Sequence, residues 1–270
     1  MSVNVRGFSR RRDGINSWEH RAALNVATIR RSAPDVIGAQ ELRPESLATY
    51  RAQLPEYSCV IGPGAGRPAS PEFNAILFDP ARLQVLETGG FWLSETPDRL
   101  SSAWRARIAR SANWVLFSTP DAVPFLHLNT HLDHLSGLAR LRGSDLLVRR
   151  ITALRDGDDL PTVVTGDFNC RPGSAPYRRF ADAGFRDTAL AAGGHERETG
   201  TFHAFHGFRH AVLNRVDALR GARRIDWILV AGGRQRLRVE DHAVVRDHDA
   251  STGMFPSDHY PVLSTLAVSG

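Results

Sequence analysis

The chain has 270 residues, 42% of them hydrophobic, enough to bury a large core in one big domain or two small ones. It contains no run of about 18 apolar residues, which excludes a membrane-spanning helix. Its two cysteines, Cys59 and Cys170, suggest neither a disulfide framework nor a zinc site. The net charge of +5 is weak evidence about partners, because all 34 basic residues are arginines, scattered apart from Arg10–Arg12 and Arg220–Arg224.

The first strand is expected over Ser2–Val5. The N-terminal MSVNVRGFSRRRDG has basic residues but no apolar segment after them, so no secretion signal is read and a cytoplasmic location is expected. Secretion stays open should residues precede Met1. Asn16 and Glu19 form a capping box for a helix that carries Ala22, Ala23, Val26 and Ile29 at helical spacing. Short β-branched or apolar runs predict strands at Val36–Ala39, Tyr57–Ile61, Asn74–Phe78 and Gln84–Glu87. Pro44 suits the first turn of a helix reaching Leu54. The Asp79-Pro80 step joins Asn74–Phe78 and Gln84–Glu87 as an antiparallel hairpin. Further strands are expected at Asn113–Thr119, Phe125–Leu132, Thr162–Thr165, Arg224–Val230, Val239–Val245 and Tyr260–Val268. A helix over Gly137–Leu154 carries Leu138, Leu141, Leu147, Ile151 and Leu154. With no repeat or long linker, the chain reads as one α/β sandwich domain over residues 1–270, with mixed sheets.

Several of these strands carry polar groups at their ends. The stretch TVVTGDFNCRPGS is a β-branched run that stops on Asp167 and Asn169, which alternation places on one side of the chain. Asn4 lies in the first strand, Glu41 ends an apolar one, and His131 ends LHLNTH. Asp226 is embedded in RIDWIL, and Asp258 precedes His259 at the opening of the last strand. Taken singly, each is explained by turn chemistry, an edge position or a satisfied core histidine. Buried ionisable groups are costly unless paired or metal-bound, and six such segments are hard to explain unless they converge.

In order and wording, NVRG, PDVIGAQE, NTHLDH, GDFN, RIDWILV and SDHYPV resemble the endonuclease/exonuclease/phosphatase superfamily, with its DNase I-like fold. They run from Asn4 to Val262 and so cover nearly the whole chain. NSWEHR, FWLSETP and TFHAF resemble its bacterial branch, whose substrates are poorly defined. The resemblance implies a four-layer α/β sandwich, two packed mixed sheets flanked by helices, with the site at one end. It also implies a divalent-metal-dependent phosphoester hydrolase, either a phosphatase or phosphodiesterase on a small substrate or an endo- or exonuclease on DNA or RNA. A non-catalytic binding module would lack one or more core residues, and none is missing.

By the same resemblance Glu41 is the principal ligand of Mg²⁺ or Mn²⁺, with Asn4 and Asp258 supporting the metal or the phosphate. Asp226 and His259 match a carboxylate–imidazole pair. Asp167 matches the residue that positions or deprotonates the attacking water, with Asn169 binding the phosphate beside it. The residues leave open whether Asp167 or His259 is the base. His131 looks like a second histidine with Glu72 as its carboxylate partner, and Arg110 like an arginine that reaches the phosphate. Arg110 reads equally as a surface arginine, His134 and Cys170 read as structural, and Trp18, Trp92 and Trp104 read as either base-stacking or core residues. Arg6 stands where abasic-site endonucleases of the superfamily carry an acid, so one well-occupied metal site with a weaker second is expected. The expected partner is a phosphoester, nucleic acid among the candidates, and the expected state is a monomer.

Overall fold

The computed structural model describes residues 1–7, 13–65, 72–155, 160–194, 200–207, 223–232 and 237–268. Arg10–Arg12 and Arg220 lie outside them. Two six-stranded sheets face one another. The first has the order β11-β12-β1-β2-β4-β3, built from β1 (Ser2–Asn4), β2 (Val36–Leu42), β3 (Ser58–Ile61), β4 (Phe73–Phe78), β11 (Leu237–Val244) and β12 (Val262–Val268). The second has the order β5-β6-β7-β8-β10-β9, from β5 (Gln84–Trp92), β6 (Ser111–Ser118), β7 (Pro124–His131), β8 (Thr162–Asp167), β9 (Arg186–Asp187) and β10 (Asp226–Ala231). Each sheet has one parallel pair, β1 with β2 and β7 with β8, among antiparallel neighbours.

Helices α1 (Trp18–Ser32) and α2 (Pro44–Gln53) cover the first sheet, and α3 (Gly137–Leu154) and α4 (Ala175–Asp182) the second; α5 is the single turn Thr188–Ala191. Pro44 opens α2 at its first turn. Ser136 caps α3, its hydroxyl accepting from the Ala139 N–H at 3.1 Å.

The alternation of each strand sorts its side chains into layers. On β8, Val163 faces the inter-sheet core with Ile76, Phe117, Phe125 and Ile228, while Val164 faces the α3 side with Leu128, Leu147 and Ile151. On β10, Ile228 and Val230 point inward, and Trp227 points outward to stack on Phe168 at 4.3 Å. The same parity puts Asn4, His131, Asp167 and Asp226 on the inter-sheet face, at one end of the sandwich.

Two local expectations are overturned. Asn74–Phe78 and Gln84–Glu87 are not a hairpin: β4 lies between β2 and β3, so both its edges are occupied, and β5 pairs with β6 in the other sheet. The Asp79 turn, whose carboxylate accepts from the Ala81 N–H at 2.8 Å, instead carries the chain between layers. Asn16 and Glu19 do not form a capping box. A short turn over Gly14–Asn16 moves the start of α1, so Ser17 is the N-cap and its hydroxyl meets His20 Nδ1 at 3.1 Å. The short α4, β9 and α5 had no counterpart in the expected elements, because a few residues carry too little periodicity to reveal them.

Candidate active site

Glu41 reaches the end of the sandwich because β2 is irregular there. Its pairing with β4 shifts between Ala39 and Leu42, and Glu41 adopts φ +58°. Left-handed backbone at a non-glycine residue costs on the order of 1–3 kcal/mol and persists where the surroundings impose it. Gly7 is one of those surroundings: a Cβ there would sit 1.9 Å from the Glu41 carbonyl oxygen. Asn4 joins the two sheets, its amide donating to Glu41 Oε1 at 2.9 Å and to Asp167 Oδ2 at 3.0 Å. Its own oxygen accepts from the Arg6 N–H at 2.9 Å, so Asn4 holds the two carboxylates with its nitrogen.

His259 and Asp226 stand across from this group. His259 Nδ1 and Asp226 Oδ2 are 2.9 Å apart, and His259 Nε2 lies 3.9 Å from Asp167 Oδ2 and 4.0 Å from Asp258 Oδ1. Burial opposes the charge on His259, but Asp226, Asp167 and Asp258 together outweigh it and raise its pKa to about 10. Burial first, then the Asp226 charge, pushes the Asp167 carboxyl up to about 7. Burial also raises Asp258, which lies 3.7 Å from Arg6 Nε. The Ser257 hydroxyl donates to the Asn4 carbonyl at 2.6 Å and so fixes the Ser257-Asp258-His259 segment to β1. Phe202 packs edge-on to the His259 ring at 5.0 Å.

His131 forms the third side. Arg110, which can only donate, meets His131 Nδ1 at 3.0 Å and His134 Nδ1 at 3.2 Å. His131 Nε2 faces Asp167 Oδ2 at 3.4 Å and the Asn169 amide nitrogen at 3.0 Å. Burial, then Arg110, holds the His131 pKa well below its ordinary value, so the ring is neutral. Asn169 takes φ +50°, which turns its amide back onto His131 and the Leu132 carbonyl.

The expected pairing of Glu72 with His131 is therefore corrected. Both ring nitrogens face other groups, Arg110 at Nδ1 and Asn169 with Asp167 at Nε2. Glu72 lines the same small pocket as Glu41, Arg110 and His131, and burial together with the nearby Glu41 charge raises its pKa. Arg110 is thus at the site and not a surface arginine. Trp18 and Trp92 are buried, and Trp104 donates to Glu95 Oε1 at 3.2 Å. Cys170 is half-buried, and burial pushes its thiol up to about 12.

The sequence reading missed Arg21. It is fully buried and donates to the Val5 carbonyl at 2.5 Å, to Pro256 at 2.9 Å, to Asn16 at 2.8 Å and to Arg6, fastening the segment after β1 to the one before Ser257. Arg21 lies on the buried face of α1, its guanidinium 5.1 Å from the centre of the Trp18 ring.

Among the described residues, two groups could hold a metal: Glu41 with His131 and Asp167, and Asp167 with Asp226 and His259, the donor atoms of each group within 4.8 Å of one another. The first fits a hard divalent cation better. It offers two carboxylates and a neutral imidazole, whereas His259 in the second is committed to Asp226 and drawn toward its charged form. Asp258 belongs to neither group and is tied to Arg6 and His259.

A mixed two-sheet sandwich with carboxylates, histidines and an arginine gathered at one end is the DNase I-like architecture. The chain belongs to the endonuclease/exonuclease/phosphatase family, whose profile matches residues 1–259. No curated protein matches it significantly. Among solved structures it is similar to a mannosyl-6-phosphatase of Bacteroides thetaiotaomicron, at 27% identity over 98% of each chain and a TM-score of 0.83. It is also similar to an endonuclease/exonuclease/phosphatase protein of Bacteroides vulgatus, at 27% identity over 99% of this chain and 97% of that one, TM-score 0.81. The Danio rerio TDP2 complexed with a single-stranded DNA product shares the fold, at 17% identity over 99% and 97% of the two chains, TM-score 0.74.

Proposed function

We propose that the protein is a divalent-metal-dependent hydrolase of small phosphoesters, such as sugar phosphates. The observation that carries this reading is the position of Asp167 Oδ2. It accepts from Asn4 at 3.0 Å and lies 3.4 Å from His131 and 3.9 Å from His259, so one carboxylate joins the metal-competent group to the histidine–aspartate pair.

Glu41, with Asp167 and His131, would hold Mg²⁺ or Mn²⁺. Such an ion supplies Lewis-acid polarisation of a phosphoryl oxygen. Asp167, the carboxylate shared by the two groups, accepts a proton from the attacking water. His259 is surrounded by three carboxylates and carries its proton at neutral pH, so it donates from Nε2 to a phosphoryl oxygen and leaves the role of base to Asp167. Asp226 orients that imidazolium. The Asn169 amide is a further neutral donor, and Arg110 holds the His131 ring through Nδ1. Donors already aimed at developing charge are the main source of rate in phosphoryl transfer.

A small substrate is favoured by the scattered arginines and by the compact pocket among Glu41, Glu72, Arg110 and His131. The printed name of the Bacteroides thetaiotaomicron neighbour points the same way. The test is turnover of hexose 6-phosphates, a generic phosphodiester and plasmid DNA, with Mg²⁺, with Mn²⁺ and with chelator, across a salt series. Metal-dependent turnover of the small esters with a shallow salt dependence supports the reading. Plasmid nicking alone, with log–log slopes of roughly −0.9 per phosphate contact, would overturn the choice of substrate. Full activity in chelator would overturn the metal.

A further inference from the structure

The metal-competent group straddles the sandwich: Glu41 comes from the first sheet, His131 and Asp167 from the second. Apolar faces packed on one another set a separation between sheets but only weakly fix how far one slides along the other, because dispersion contacts are not directional. Beneath the site, however, the interface is polar. Gln40, Asn129, Thr165, Ser2 and His127 are all buried there.

Asn129 sits at the centre of this layer. Its amide nitrogen, projecting from β7, donates to the carbonyls of Ala39 at 2.9 Å and Ala75 at 3.0 Å. Those two residues face each other across β2 and β4 immediately before the irregularity that turns Glu41 toward the site. Its oxygen accepts from Gln40 Nε2 at 2.7 Å and from the Thr165 hydroxyl at 3.3 Å. Gln40 adjoins Glu41; Asn129 and Thr165 lie one pleat below His131 and Asp167 on the same face. All four hydrogen-bonding positions of one side-chain amide are used, two on the first sheet's backbone and one on each flanking side chain. Gly38 leaves the room this requires, since a Cβ there would meet Thr165 Oγ1 at 1.9 Å and Asn129 Oδ1 at 2.8 Å.

We infer that Asn129 is a positioning residue that locks the two sheets in register and thereby sets the spacing between Glu41 and the His131–Asp167 side of the metal group. The inference rests on the proposed metal reading and adds a buried residue that touches neither metal nor substrate. Hydrogen bonds across the interface are directional where apolar packing is not, and so can hold a ligand set to the few tenths of an ångström that a metal requires.

The test is direct binding of Mn²⁺ alone, followed by calorimetry, in the wild type, in Asn129→Leu and in Gln40→Met/Asn129→Leu. In the double variant both ends of the 2.7 Å bond are removed together and neither is left buried without a partner. Val163→Ala, on the same interface but outside the network, serves as a stability control. We expect Mn²⁺ affinity to fall about tenfold or more in the folded Leu variants, within the range for residues that orient metal ligands, and to be unchanged in Val163→Ala. Should neither Leu variant fold, the near-isosteric Thr165→Val decides, with an expected loss of roughly threefold, the smaller effect of one hydrogen bond among several. Wild-type affinity in a folded Asn129 variant, or in Thr165→Val where that variant decides, would overturn the inference while leaving the metal reading intact. Absence of saturable Mn²⁺ binding in the wild type would overturn both.

Discussion

The two ends of the sandwich differ in a way that cavity size alone would misread. The end opposite the site holds the roomier cavity, about 470 Å³, lined by Asp35, Arg82, Leu83, Phe125 and Ser264 among others. Its charges are balanced locally: Arg82 Nε and Asp35 Oδ1 are 2.8 Å apart, and both side chains remain substantially exposed. Among the described residues, the site end gathers Asp167, Asp226 and Asp258, all buried, together with half-buried Glu41. Four carboxylates so placed oppose one another, and folding alone gives no reason to assemble them. The site end is marked by its buried, mutually opposing carboxylates.

The largest effect should come from Glu41. Glu41→Gln is expected to lower metal-dependent turnover by roughly 10³-fold, the scale of losing a metal's charge stabilisation, while the fold is retained by circular dichroism. Retained turnover would break the contrast between the ends. Next is the Asp226–His259 pair, where Asp226→Asn is expected to cost about 10²-fold. Because the two act as a unit, Asp226→Asn/His259→Gln should be little worse than His259→Gln alone; multiplicative losses would count against the pairing.

The pH profile sharpens the same point. Activity should fall as His259 loses its proton near pH 10. Asp226→Asn removes a charge that raises the His259 pKa, so the alkaline limb should move to lower pH. Stability follows from linkage. The pKa of His259 is raised on folding, so its contribution is fully present below about pH 6.5, the unfolded value, and is lost as pH climbs through about 10. Urea titrations at pH 6 and pH 10 should show that loss in the wild type and a smaller one in Asp226→Asn.

A smaller effect is expected at Arg110. Arg110→Gln should cost about tenfold, the scale for residues that orient site groups, and the His131 pKa should rise toward its ordinary value as the guanidinium is removed, read by NMR titration. The smallest effect belongs to the opposite end. Breaking the exposed Arg82–Asp35 pair with Arg82→Ala should leave turnover within about twofold and shift stability by less than about 1 kcal/mol. A large loss of activity there would show that the roomy cavity matters after all.

What was legible in the sequence followed the two-residue period of the strands. Asn4, Asp167 and Asp226 each lie at an end of an alternating run, and parity alone places them on the face that becomes the site. The long amphipathic helix Gly137–Leu154 was legible to the residue. Glu41 was legible as a strand end but not as a left-handed residue, since its φ depends on Gly7 approaching from another segment. The Asp79-Pro80 step looked like a hairpin because a turn signal fixes the change of direction and not the sheet that receives the next strand. Arg21 and Asn129 escaped notice for a related reason. Their hydrogen bonds go mainly to backbone carbonyls of distant segments, which no side-chain pattern announces.

The joining of β1 to the segment before β12 also has a temporal consequence. Asn4 and Ser257 are hydrogen-bonded across 253 positions, and Arg21 reaches Pro256 across 235. During synthesis from the N-terminus, Asn4, Glu41, His131 and Asp167 all emerge before the residues that supply His259 and close the network. A nascent chain halted before residue 256 therefore has both sides of the metal-competent group but not the histidine–aspartate pair. On the proposed function, competence for catalysis is acquired late in translation.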